Sequence, residues 1–127
     1  MYTRVNSVYQ PPNPPPNMES KRLDKLTRHA ELSEKALEQY LQRQTMERGG
    51  ICLKYFNPHA TGYPDRICIL PQGRTIWVEL KSHGARPTKM QTLRIEQLRG
   101  LGHRAHVCSS REQIDQLFTT NPNERET

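Results

Sequence analysis

The segment "TGYPDRICILPQGRTIWVELKSHG" (61–84) places an acid directly after a proline, then an acid and a lysine one residue apart: Asp65, Glu79 and Lys81. Strand alternation puts Trp77, Glu79 and Lys81 on one face and Ile76, Val78 and Leu80 on the other. If "PQG" at 71–73 turns the chain about Gln72-Gly73, position 65 falls opposite 79 or 80. Asp65 then stands beside Glu79, their Cβ atoms roughly 5–7 Å apart. Two carboxylates so placed repel unless a cation sits between them. A hard divalent ion such as Mg²⁺ or Mn²⁺, taking oxygen ligands at about 2.1 Å, suits the pair. Lys81 on the same face is placed to stabilise a pentavalent phosphorane, or to position and deprotonate an attacking water. These are the parts of a phosphodiesterase site. The same residue types also make an ordinary solvated hairpin face, and Glu19-Ser20-Lys21 repeats the acid-x-Lys spacing on a helix with no acid opposite. The hairpin register, rather than the triplet, carries the chemical reading.

The elements that must hold these residues fit one small domain: the chain has 127 residues, a third of them hydrophobic. A net charge of +6 favours polyanionic partners, nucleic acid first. No apolar run approaches the roughly 18 residues of a membrane span. The start "MYTRVNSVYQPPNPPPN" has no apolar signal region, so the expected setting is cytoplasmic. Cys52, Cys68 and Cys108 lie in strand-like runs without CxxC spacing and read as reduced, buried thiols. A zinc site from Cys52, His59, Cys68 and His83 is the alternative, with no recognisable spacing behind it.

Residues 1–18 form a proline-rich arm expected to be disordered, and 119–127 a polar tail, leaving 19–118 as the folded part. A helix is expected over 19–48, with Leu23, Leu26, Ala30, Leu37, Tyr40 and Leu41 at spacings of three, four and seven, ended by Gly49-Gly50. That stripe can pack on the domain's own sheet or form a seam with a partner helix. Strands follow at 51–56, 66–70 and 74–81. A helix from Pro87-Thr88 to about Leu101 takes Met90, Leu93, Ile95, Leu98 and Leu101 as its apolar side. A strand at 104–109 and a short helix capped by Ser109 or Ser110, ending near Phe118, complete the order α-β-β-β-α-β-α, a mixed sheet with helices against it.

"GYPDR…WVELK", followed by "PTKMQ" and "LGHRAHVCSSREQIDQL", resembles the VRR-NUC group of the PD-(D/E)xK nuclease superfamily over about residues 33–118. The resemblance implies an α/β, restriction-endonuclease-like αβββαβ core with a mixed sheet flanked by helices. It implies a Mg²⁺- or Mn²⁺-dependent DNA endonuclease of the stand-alone phage or bacterial type, acting on branched DNA such as four-way junctions or flaps, commonly as a homodimer. Asp65 and Glu79 match the metal-binding acids, the backbone carbonyl of Leu80 an additional ligand, and Lys81 the catalytic lysine. Gln91 matches the glutamine of the following helix, and Thr88-x-x-Gln91 is also a capping box. The acid of the first helix is matched to Glu34, on the stripe of Leu37 and Leu41, with Glu38 as substitute. Lys54, Arg66, Arg86 and Lys89 flank the motif in sequence and are candidate phosphate contacts. Trp77 suits either a cleft wall or a dimer contact. The rival readings are a non-catalytic nucleic-acid-binding module on the same fold and an RNA-directed nuclease.

Overall fold

The computed structural model describes residues 18–119, except for the side chains at 27 and 29–32. The expected arm over 1–17 and the tail beyond 119 lie outside the described residues. The first helix, α1 (Met18–Glu47), has no glycine or proline to interrupt its 30 residues, a length of about 45 Å. Only its second half packs. Leu37 and Leu41 are buried, whereas Leu23 and Leu26 are 59% and 58% exposed. The stripe expected over 23–41 therefore meets the sheet only from about Leu37 onward, because the helix outruns the sheet at its N-terminal end. Gly49, at φ +83, ends the run. At Gly50 a Cβ would stand 2.3 Å from the Ile69 carbonyl, so only glycine lets the chain turn so tightly into the first strand.

The four strands are β1 (Ile51–Lys54), β2 (Arg66–Leu70), β3 (Arg74–Leu80) and β4 (Arg104–Cys108), in spatial order β1-β2-β3-β4. The first three pair antiparallel and β4 runs parallel to β3. β1 is shorter than the expected 51–56, although the Tyr55 amide still donates to the Asp65 carbonyl at 2.8 Å. Pro71–Gly73 makes the turn, with Gln72 at φ +66 and Gly73 at φ +71. The helix α2 (Lys89–Gly100) makes the crossover from β3 to β4, and α3 (Arg111–Thr119) follows β4.

The sheet separates two cores. On one face Leu37 and Leu41 of α1, with Ile114 and Leu117 of α3, pack on Cys68, Leu70, Ile76, Val78, Leu80 and Cys108. On the other, Ile95 and Leu98 of α2 pack on Ala105, with Tyr63, Trp77 and Val107 at the margin. This is the expected mixed sheet between helices. The apolar side of α2 is narrower than expected: Met90, Leu93 and Leu101 are exposed, and only Ile95 and Leu98 reach the core.

Candidate active site

The pairing Arg66↔Val78, continued by one residue, sets position 65 opposite 79 on the α2 side of the sheet. That is the nearer of the two expected registers. Glu79 is nearly buried, at 6% exposure. Its Oε2 accepts from the Gln91 side-chain amide at 3.3 Å and lies 3.5 Å from the Lys81 ammonium. The backbone of Lys81 is fixed by its amide donating to the Cys108 carbonyl at 3.0 Å. Gln91 serves two ends at once. Its Oε1 accepts from the Thr88 amide at 2.9 Å, completing the capping box with Thr88 Oγ1, while its Nε2 faces Glu79. Capping thus sets the rotamer that points the amide into the site.

The electrostatics are those of a site short of positive charge. Burial, then the neighbouring Asp65 carboxylate, push Glu79 up to about 7, against the opposing pull of Lys81. Burial likewise raises Asp65, partly offset by Arg66. Asp65 Oδ1 is buried with no hydrogen-bond partner among the described residues. Such an orphaned acceptor costs about 1–3 kcal/mol. A cation between Asp65 and Glu79 would satisfy the orphan and relieve the repulsion together, so the residues present fit a hard divalent ion. The Leu80 side chain, between Glu79 and Lys81 in sequence, is buried in the opposite core. Among the described residues no three His, Cys, Asp or Glu side chains gather as a ready cluster.

Other expected site residues fall elsewhere. Glu34 is exposed on α1, not turned inward as expected. The substitute, Glu38, is half-buried and pairs with Arg66 at 2.6 Å, near enough for its charge to act on Asp65. Arg66 is 6% exposed and committed to Glu38, on the α1 side of the sheet; it is not a free phosphate contact. Lys54, Arg86 and Lys89 are exposed, as phosphate contacts require. His59 and His83 are exposed in loops, and the zinc quartet does not assemble: Cys52 and Cys68 face each other across β1 and β2, sulfurs 4.0 Å apart.

Sequence reasoning missed the aromatic cluster around Trp77. Tyr55 packs edge-on against Trp77 at 5.2 Å and against Tyr63 at 6.2 Å, on the strand face that carries Glu79 and Lys81. The signal was the adjacent Tyr55-Phe56 pair at the end of β1, which read only as strand propensity.

No family model matches the chain. A curated relative, "Putative nuclease p44" of Acyrthosiphon pisum secondary endosymbiont phage 1, is 36% identical over 81 residues, 64% of this chain and 87% of its own length. A solved structure described as "VRR_NUC domain" superposes with a TM-score of 0.65 at 28% identity, covering 68% of this chain and 95% of its own.

Proposed function

The chain belongs to the VRR-NUC family, and from that premise we propose that it is a Mg²⁺- or Mn²⁺-dependent endonuclease hydrolysing phosphodiester bonds in DNA. The observation that carries this reading is the opposed pair Asp65–Glu79, with an orphaned carboxylate oxygen on one member and the Lys81 ammonium 3.5 Å from the other. Asp65, Glu79 and the Leu80 carbonyl would hold the divalent ion, which supplies Lewis-acid polarisation of the phosphate when bound. The chain's own side chains do the rest. Lys81 offers positive charge where the phosphate gains negative charge in the transition state, and helps orient the attacking water. Gln91 holds the Glu79 carboxylate by its side-chain amide and keeps it turned to the same point.

Branched DNA is the substrate this reading favours. No base-reading motif occurs in the sequence, and exposed Lys54, Arg86 and Lys89 are suited to phosphates. A homodimer presenting two sites to a four-way junction is supported by the exposed Leu23 and Leu26 on the overhanging half of α1. A role in DNA repair or junction resolution, in the cytoplasm of a bacterium or phage-infected host, accords with the phage relative.

The test is cleavage of synthetic duplex, flap, four-way junction and RNA substrates with Mg²⁺ or Mn²⁺. Asp65→Asn and Lys81→Ala are each expected to lower the rate by at least about a hundredfold. Cleavage surviving both substitutions sinks the site, and binding without cleavage in either metal favours a non-catalytic module. Cleavage of RNA alone sinks the DNA assignment. Sedimentation that shows only monomer removes the paired-site model and leaves the chemistry standing.

A further inference from the structure

Beside the acid pair lies a pocket of about 180 Å³, and Asp65 is part of its wall; Tyr55, Phe56, Asn57, Ala60 and Tyr63 close it. Its frame is fixed in place. Asn57 Oδ1 accepts from the His59 and Ala60 amides at 3.0 and 3.1 Å, while its Nδ2 donates to the Tyr55 hydroxyl at 3.0 Å. Gly62, at φ +95, sits so close to α2 that a Cβ would meet Met90 Cγ at 2.4 Å, seating the loop against that helix. Arg94 covers the Tyr63 ring at 4.6 Å and donates to the Thr61 carbonyl at 3.0 Å. Tyr55 and Tyr63 are thereby engaged with each other and with their neighbours.

Phe56 is different. Its side chain is 80% exposed, and no ring or cation contact reaches it among the described residues. Leaving a phenylalanine in water is unfavourable, and here the residue is one of those lining a pocket whose wall includes a candidate metal-binding acid. The pocket is smaller than the roughly 300–1,000 Å³ of drug-sized sites, which limits the occupant to about one flat ring system. In a paired duplex the bases are stacked and out of reach. An unpaired base has a free π-face and can leave the helix to stack on an aromatic side chain.

We propose that this pocket takes one unpaired nucleobase from the strand being cut, with Phe56 as its stacking face, so that an unpaired nucleotide beside the scissile phosphate selects the substrate. This rests on the nuclease reading above. It gives that reading a physical basis for preferring DNA with unpaired nucleotides, such as flaps, because these free bases that duplex DNA keeps stacked.

The experiment compares kcat/KM on a duplex carrying one bulged nucleotide with that on the matched duplex. Wild type, Phe56→Ala and Phe56→Leu are measured, with Leu101→Ala as a control that removes another exposed apolar side chain. The preference for the bulge is expected to fall about tenfold in Phe56→Ala, the size of one lost base–aromatic stack, and to stay unchanged in Leu101→Ala. In parallel, 2-aminopurine placed at the bulge is titrated with Lys81→Ala protein, whose altered residue does not line the pocket. Its fluorescence is expected to drop on binding, and this response is lost when Phe56→Ala is added. An unchanged preference in Phe56→Ala, or a probe signal indifferent to Phe56, overturns the pocket assignment while wild-type cleavage upholds the nuclease reading. Absence of wild-type cleavage on every DNA overturns the nuclease reading, and the fluorescence titration still decides the pocket.

Discussion

Glu79 carries a cost for which the proposed metal-binding role would account. Its carboxyl is pushed up to about 7 by burial and by Asp65, against an ordinary value of 4.5. Between those values the folded protein binds more protons than the unfolded chain. The sign follows: this stability is fully present below pH about 4.5 and is lost as pH rises through about 7. Glu79→Gln removes the charge and keeps an acceptor for Gln91. Without metal, the variant is expected to melt above wild type at pH 8, by up to about 3 kcal/mol, with the difference vanishing near pH 4. Added Mg²⁺ should raise the melting temperature of wild type and leave that of the variant unchanged. Thermal melts at the two pH values, with and without metal, check it, and a variant less stable than wild type at pH 8 contradicts the arrangement. A residue that weakens the fold where it is charged, yet stands beside a lysine and a second acid, fits selection for binding a cation rather than for stability.

At the scale of elements, α1 shows how a helix can misdirect a sequence reading. Glu34 and Glu38 are one turn apart and share a stripe with Leu37 and Leu41, so periodicity alone ranks them together. The sheet decides between them. Leu37 is buried and Glu38 beside it meets Arg66 at 2.6 Å, whereas Glu34 lies on the part of the helix that overhangs the sheet. Glu38→Ala leaves the Arg66 guanidinium buried without its partner and is expected to cost about 2–4 kcal/mol in urea unfolding. Glu34→Ala should stay within about 0.5 kcal/mol. Equal costs for the two would mean that the pair is not what holds Arg66. The second element that positions the site is α2, whose first turn does double duty. Thr88 and Gln91 close the capping box, and the same glutamine then reaches Glu79 across to β3. The helix start and the site geometry are therefore one structural feature.

For the whole molecule, the two faces of the sheet divide the labour. The α1–α3 face holds the larger core and the Glu38–Arg66 pair, while the α2 face carries Asp65, Glu79, Lys81 and the aromatic cluster in a thinner layer. Charge is asymmetric in sign overall, at +6. DNA binding by Lys81→Ala protein should weaken about a hundredfold between 50 and 200 mM salt, as about four neutralised phosphates imply. Fluorescence anisotropy at the two salt concentrations measures this, and a flat response contradicts a phosphate-led interface.

The sequence by itself determined the hairpin, the placing of Asp65 opposite position 79 or 80, and the Thr88–Gln91 cap. These depend on local rules: alternation along a strand, a turn at Gln72-Gly73, and a side chain bonding three residues away. Element order was legible for the same reason, since the α2 cap and the β1–β3 strands each announce themselves within a few residues. The tertiary structure alone decided that Glu38 rather than Glu34 faces the sheet and that Arg66 is buried in an ion pair. It alone decided that Met90, Leu93 and Leu101 stay in solvent, and that Phe56 stands free beside Asp65 while Tyr55, Tyr63 and Trp77 pack together. Each of those outcomes depends on where one element ends against another. Helical and strand periods set which residues share a face, but not how far along the element its neighbour extends.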